Sequence, residues 1–210
     1  MDINKTLRKA YDIKAKERDG QAPQEWKIRE RNTFFALLHR EQKKTLLEIG
    51  AGPGRDSLFF KDQGLDVVCL DLSPEMVKLC RRKGLIAHEM DFRDLQALEG
   101  TFDAVFALNC LLHLPEKDLP SVLGAIDAKL NPEGLFYMGI YGGLDHEGIW
   151  IEDTYDPKRF FSFYTDTRIK LILNDIFDIH TFRQIPLDDP ASEFHFQSIT
   201  LRKKRNEIGQ

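Results

Sequence analysis

The chain has 210 residues and 42% hydrophobic content, enough for one domain with a sizeable core. Its net charge of −4 and its isoelectric point near 5.9 disfavour nucleic acid as a partner, and 30% charged residues argue for a solvated surface. No apolar run approaches the ~20 residues of a membrane span, and Met1 to Lys5 carries no apolar leader core. Cys69, Cys80 and Cys110 show no Cys-x-x-Cys pair or Cys/His cluster, which predicts buried thiols in a reducing compartment and no metal site. The expectation is a cytoplasmic protein without nucleic-acid or membrane partners; the sequence leaves the oligomeric state open.

Residues 1–44 are polar with a helical rhythm. Trp26, Ile28, Phe34, Phe35, Leu37 and Leu38 recur at spacings that make one apolar face, and Gly20 and Pro23 split the segment into two helices. Strands and helices then alternate: strand 45–50, helix 54–63, strand 66–71, helix 74–83, strands 85–89 and 102–107, helix 116–130, strand 134–140. Ser73 caps the helix that begins at Pro74, and Asn131-Pro132-Glu133-Gly134 is a stop and turn. Such alternation predicts a parallel sheet covered on both faces. The stretch 142–164 breaks the rhythm and is rich in aromatic and charged residues. It reads as a substrate loop between the core, 45–141, and a C-terminal part, 165–205. That part has a helix at 165–175 and strands at 177–184 and 194–202. Only a polar connection containing Asp188, Asp189 and Pro190 joins the two strands, which predicts an antiparallel end to the sheet. Arg202-Lys203-Lys204-Arg205 reads as a solvated tail.

The chemistry gathers at the first strand. Leu46-Leu47-Glu48-Ile49-Gly50-Ala51-Gly52-Pro53-Gly54-Arg55-Asp56 is an apolar strand running into a glycine-rich turn. Glycines there let backbone approach a ligand where a Cβ would collide. The second strand ends in Asp71, about 20 residues on, at the distance of a ribose-binding acid. The third reaches Asp91-Phe92, where a carboxylate accepts from an exocyclic amine and a ring flanks a base. These acids in register imply a nucleoside-containing cofactor. A dinucleotide fingerprint is disfavoured, because Arg55 stands where a third glycine belongs and Glu48 would repel a pyrophosphate while holding an amine.

At this point the chain resembles the class I S-adenosylmethionine-dependent methyltransferases. The match runs over Glu48-x-Gly50-x-Gly52-x-Gly54, Asp71, Asp91-Phe92, Phe102-Asp103-Ala104-Val105 through His113, and the turn Asn131 to Phe136. The segments Tyr141-Gly142-Gly143 through Ser162 and Phe194 to Ser198 resemble a bacterial branch without a defined substrate. The resemblance implies a Rossmann-like, doubly wound, seven-stranded mostly parallel sheet with an antiparallel C-terminal strand and N-terminal helices over the site. It implies S-adenosyl-L-methionine as cofactor, bound by Glu48, Gly50, Ala51, Gly52, Gly54, Asp71, Leu72, Met76, Asp91, Phe92 and Asn109. Tyr11 and Arg31 are the candidates for the cofactor's amino-acid end.

The expected activity is methyl transfer to a small-molecule acceptor by in-line displacement. Proximity carries most of the catalysis, with His113 as the candidate base and Tyr141 and His146 in the acceptor pocket. Glu152, Asp153 and Asp156 form an acidic cluster suited to a cationic substrate, and Arg159 before Phe160-Phe161 is a candidate anion clamp. An RNA-modifying enzyme and a non-catalytic cofactor-binding protein are the alternatives. Against the first stand the acidic balance and Asn109-Cys110-Leu111-Leu112 in place of an Asn/Asp-Pro-Pro-Tyr/Phe motif.

Overall fold

A computed structural model describes residues 2–187 and 194–205; the connection with Asp188, Asp189 and Pro190 lies outside the described residues. In chain order the strands are β1 (Thr45–Ile49), β2 (Asp66–Asp71), β3 (Ile86–Glu89), β4 (Phe102–Leu108), β5 (Leu130–Gly142), β6 (His146–Ile149), β7 (Phe160–Phe163), β8 (Phe177–Pro186) and β9 (His195–Lys203). The helices are α1 (Ile3–Gly20), α2 (Glu25–Arg40), α3 (Arg55–Asp62), α4 (Pro74–Arg82), α5 (Leu119–Lys129) and α6 (Asp166–Asn174). Seven strands make one sheet in the order β3-β2-β1-β4-β5-β9-β8. The first five run parallel, and β9 is antiparallel to both β5 and β8. This is the expected doubly wound sheet.

The strands are near-continuous apolar runs because helices cover both faces. On one face Phe34, Leu37 and Leu38 of α2 pack with Phe60 of α3, Cys80 of α4, and Leu46, Phe106 and Tyr137 of the sheet. Phe106 and Tyr137 stack at 4.9 Å, and Phe34 lies 5.4 Å from Tyr137. On the other face Leu47, Val105, Phe136 and Met138 meet Leu119, Val122, Leu123 and Ile126 of α5 and Ile169 and Leu173 of α6. The period-2 alternation sends Glu48 to the α2–α3 side with Leu46. The apolar face of α2 forms as predicted, while Trp26 at its start is only half-buried and packs at a tilt against Phe196, 4.4 Å between centroids.

Four expectations shift. The helix expected at 116–130 begins as a 3-10 turn, Glu116–Asp118, and becomes α-helical at Leu119, where Pro120 occupies the first turn. The fifth strand starts at Leu130, before the predicted turn, and Glu133 takes a positive φ of 59° within it. Residues 142–164 are not all loop: β6 and β7 form an antiparallel hairpin with His146 opposite Phe163. Phe160–Phe163 is buried at every position, so it has no period-2 alternation to mark it as a strand. The basic run is also no free tail. Arg202 donates to Glu41 at 2.6 Å, and the Lys203 ammonium donates to the carbonyls of Asp127 and Leu130.

Candidate active site

The turn after β1 meets the start of α3 at the carboxyl ends of the parallel strands. Gly50, Gly52 and Gly54 all have positive φ, 68°, 55° and 80°. Their reasons differ. A Cβ on Gly50 would stand 2.4 Å from Cβ of Cys110, and one on Gly54 2.7 Å from Leu85. A Cβ on Gly52 would meet nothing within 4 Å. Two of the glycines therefore serve packing, and only Gly52 presents bare backbone to open space, which narrows the expectation for the loop. Ala51 is buried and anchors the turn by donating its N–H to the Leu70 carbonyl at 2.9 Å.

The acids stand around this turn. Asp71 accepts from the backbone N–H groups of Gly52 and Ser73, both at 2.8 Å, so its carboxylate fixes the glycine loop against the entry to α4. Burial pushes its pKa up to about 6, against the pull of these two N–H donors. Each oxygen keeps a further lone pair. Asp91 accepts from Arg93 Nη2 at 2.7 Å and from the Asn4 side chain. Glu48 is buried, accepts from the Ser57 hydroxyl, and is pushed well above the carboxylate range by burial and by Asp56.

α1 closes over these strand ends. Besides the Asn4–Asp91 contact, Arg8 pairs with Glu89, Asp19 pairs with Lys83, and Asp12 accepts from Ser73 Oγ at 2.5 Å. Beneath it is a cavity of about 60 Å³, lined among others by Leu7, Tyr11, Gly52, Asp71, Leu72, Asp91, Phe92 and His113. A second cavity of about 230 Å³ lies beside it, lined among others by Lys27, Glu48, Ala51, Pro53 and Asp56. Arg18, Gly52 and Asn109 line both. Arg18 Nε and Asn109 Oδ1 are buried there without a hydrogen-bond partner. Met76, an expected contact, lines neither cavity; its side chain is fully buried at the start of α4.

His113 is buried with both ring nitrogens engaged. Its Nδ1 lies 2.8 Å from the Phe160 carbonyl, which can only accept, so Nδ1 carries the proton. Its Nε2 then accepts from the Tyr11 hydroxyl at 2.6 Å. Arg159 Nη1 donates to the same hydroxyl at 2.9 Å. Asp153 holds Arg159 by a bidentate pair, Nε at 2.9 Å and Nη2 at 2.7 Å. Burial drives the His113 pKa down to about 3, so the ring is neutral. Burial also raises the Tyr11 pKa, against the pull of Arg159 and Arg18. The Arg159 guanidinium further lies 3.6 Å over the Tyr155 ring. The expected acidic cluster and anion clamp are thus partly one ion pair, Asp153 with Arg159.

The remaining candidates divide. Tyr141 is half-buried at the end of β5, edge-on to Trp26 and Phe196. His146 sits on β6 against Trp150 and Phe163 and lines neither cavity. Arg31 pairs with Asp56 at 3.2 Å and lies over Phe59, outside both linings. The residues that sequence reasoning missed are Asn4, Arg18 and Lys27. All three sit in charged or polar helical stretches where nothing in the pattern separates a site residue from a solvated one.

The candidate site is thus a glycine loop opening at one residue, an acid at or just after the end of each of the next two strands and a helical cap over both. Residues 46–134 match the family described as "Methyltransferase domain", so that segment, under half of the chain, is similar to methyltransferase domains. Among curated relatives, it is 34% identical over 100 residues to a ubiquinone biosynthesis O-methyltransferase of Xanthomonas oryzae, covering 44% of this chain and 41% of that one. The chain thus spans about two fifths of the length of that relative. Over the whole fold it is similar to the 1,6-didemethyltoxoflavin-N1-methyltransferase of Burkholderia thailandensis, solved with its acceptor and S-adenosylhomocysteine. That similarity has a TM-score of 0.71 at 23% identity, over 96% of this chain and 88% of that one. The magnesium protoporphyrin IX methyltransferase of Synechocystis, solved with S-adenosylmethionine, also has a TM-score of 0.71, at 14% identity over 97% and 98% of the chains. At these identities the two structures establish the fold. No helix among the described residues is long and apolar enough to cross a membrane.

Proposed function

We propose that this chain binds S-adenosylmethionine and transfers its methyl group to a small molecule. The observation that carries the reading is the bare backbone of Gly52, a cradle that a Cβ would fill. It lines one cavity with Asp71, Asp91, Arg18 and Asn109, and Arg18 Nε and Asn109 Oδ1 are buried there without a hydrogen-bond partner. Asp71 would accept from the ribose hydroxyls through its free lone pairs, and Asp91 from the adenine amine beside Phe92. The guanidinium of Arg18 has no ion-pair partner among the described residues and suits the amino-acid carboxylate better than Arg31, which Asp56 holds. Glu48, buried and accepting from the Ser57 hydroxyl, would also accept from the amino group. When bound, the cofactor supplies a methyl group on a sulfonium whose departure leaves a neutral thioether, so little acid–base work falls to the protein.

The cavity of about 60 Å³ is well below the roughly 300–1,000 Å³ of sites for ligands of this size. The adjoining cavity of about 230 Å³ shares Arg18, Gly52 and Asn109 with it, and the cofactor would extend across both beneath α1. His113 acts on this reading through Tyr11. The neutral imidazole and Arg159 fix the hydroxyl, which faces the first cavity, and any proton passed to Nε2 arrives through it. Tyr141 would bound the acceptor from the β5 side. Bacterial biosynthetic relatives and the fold together favour a cytoplasmic small-molecule enzyme over an RNA-modifying one.

Calorimetry with S-adenosylhomocysteine and with NAD tests the reading. We expect binding of the first alone. Asp71→Ala should weaken it by about 10- to 150-fold, the range for hydrogen bonds to a charged group. NAD binding without S-adenosylhomocysteine binding refutes the assignment.

A further inference from the structure

The second cavity contains an amine that the cofactor reading leaves without a task. Lys27, in the first turns of α2, is half-buried and lines this cavity together with Asn109 and Leu108. Among the described residues no carboxylate lies within ion-pair distance of it. Its ammonium instead stands 5.1 Å from the Trp26 ring centroid and 5.9 Å from that of Tyr141, so aromatic faces hold it. The nearby charges come from every element around it. Arg18 on α1 is positive. Arg55 on α3 is positive and donates to the Arg18 carbonyl. Asp56 on α3 is taken by Arg31. Glu48 on β1 is buried and accepts from the Ser57 hydroxyl, and burial raises its pKa. Lys27 thus sits in a partly enclosed space beside the cations Arg18 and Arg55, feels Asp56 only at a distance and shares it with Arg31, and has no ion-pair partner of its own among the described residues.

We propose that Lys27 is the acceptor-recognition residue, and that the acceptor is an acidic hydroxyl compound, a phenol or enol, bound as its oxyanion on the Lys27 ammonium. The inference rests on the methyltransferase reading and specifies its substrate class. The acceptor proton passes to solvent when the anion is bound. The oxygen lone pair then forms the bond to the methyl carbon while the carbon–sulfur bond breaks and its electron pair stays on sulfur. This order leaves no base to be supplied, consistent with His113 being committed to Tyr11 and Phe160. A cationic amine acceptor would be repelled from the same place.

Burial, with Arg18 adding to it, pushes the Lys27 pKa down to about 8. Lys27 is thus charged at neutral pH and loses its charge in mild alkali. The test uses the whole protein saturated with S-adenosylhomocysteine, and the probe is 4-nitrophenol, whose anion reports itself by absorbance. Expected is binding of the phenolate with its apparent pKa lowered, and affinity that declines as pH rises through about 8. Lys27→Met should weaken phenolate binding about tenfold or more at neutral pH, and Lys27→Arg should keep it and abolish the alkaline decline. 2-Phenylethylamine should not bind. Equal phenolate affinity in Lys27→Met, or preference for the amine, overturns the proposal. So does a loss of S-adenosylhomocysteine affinity in Lys27→Met as large as the loss for phenolate, which would assign Lys27 to the cofactor. Failure of the unsubstituted protein to bind S-adenosylhomocysteine would instead count against the methyltransferase reading itself.

Discussion

The two walls of the site are built in different ways. The β1–β3 wall consists of a turn and two strand ends, and its key contacts stay within one βα unit: Asp71 to Gly52 and Ser73, Asp91 to Arg93. The facing wall is a chain of side chains, Asp153–Arg159–Tyr11–His113, drawn from α1, the segment after β4 and the hairpin loop. The first wall offers backbone N–H groups and carboxylates in fixed register. The second offers a buried, neutral-plus-paired network whose members depend on one another. The β1–β3 wall should therefore tolerate changes at open positions and fail in binding, whereas the facing wall should fail in stability first.

The sharpest break is at the buried ion pair. Asp153 is 8% exposed, and Arg159→Ala or Asp153→Ala alone leaves one charge without its partner. Each should lose about 3–5 kcal/mol in urea unfolding, and the double substitution to leucine should lose clearly less than the sum. Losses that simply add would mean that the pair is not a unit. On the opposite wall, Gly50→Ala should cost about 1–2 kcal/mol for its left-handed backbone and about 1–3 more for the collision with Cys110. Gly52→Ala should cost only the backbone part, while Gly52→Val lowers S-adenosylhomocysteine affinity in a folded protein. Equal unfolding midpoints for Gly50→Ala and Gly52→Ala would remove the distinction between packing and cradle glycines.

Acid separates the walls more finely. The unfolded imidazole binds a proton near 6.5 and the folded His113 only near 3, so its contribution to stability is complete above 6.5 and is lost as pH falls toward 3. Over the pH unit below 6.5 the slope approaches about 1.4 kcal/mol per unit, and His113→Gln should flatten it. Asp71 acts in the opposite sense. Its pKa is raised from 3.8 to about 6, so its contribution is complete below 3.8 and lost as pH rises through 6. Ligand binding shows the same group from the other side: affinity for S-adenosylhomocysteine should decline below about pH 6 as Asp71 protonates, and an affinity flat down to pH 5 would mean that the ribose does not use it. A smaller effect should be at Arg31→Gln, where Asp56 is 22% exposed and the amide can still donate: about 1–2 kcal/mol of stability, with cofactor affinity unchanged.

What the sequence determined by itself was the sheet and the wall carried on it. The runs 45–50, 66–71 and 102–107, the Ser73-Pro74 helix start and the acids at 48, 71 and 91 are local patterns. They follow from strand burial, capping chemistry and the fixed length of a βα unit, so they could be read without any tertiary contact. Only the tertiary structure decided which glycine is open, because Cys110 and Leu85, which fill the space at Gly50 and Gly54, come from other segments. It also engaged both ring nitrogens of His113, with Phe160 and with Tyr11, which lies 102 residues away in the chain. It paired Arg159 with Asp153, lined the cavities with Arg18 and Lys27 rather than Arg31, and placed His146 outside both linings. A charged side chain on a helix reads the same in sequence whether it faces water or a cavity; the difference is made by what the rest of the chain packs around it.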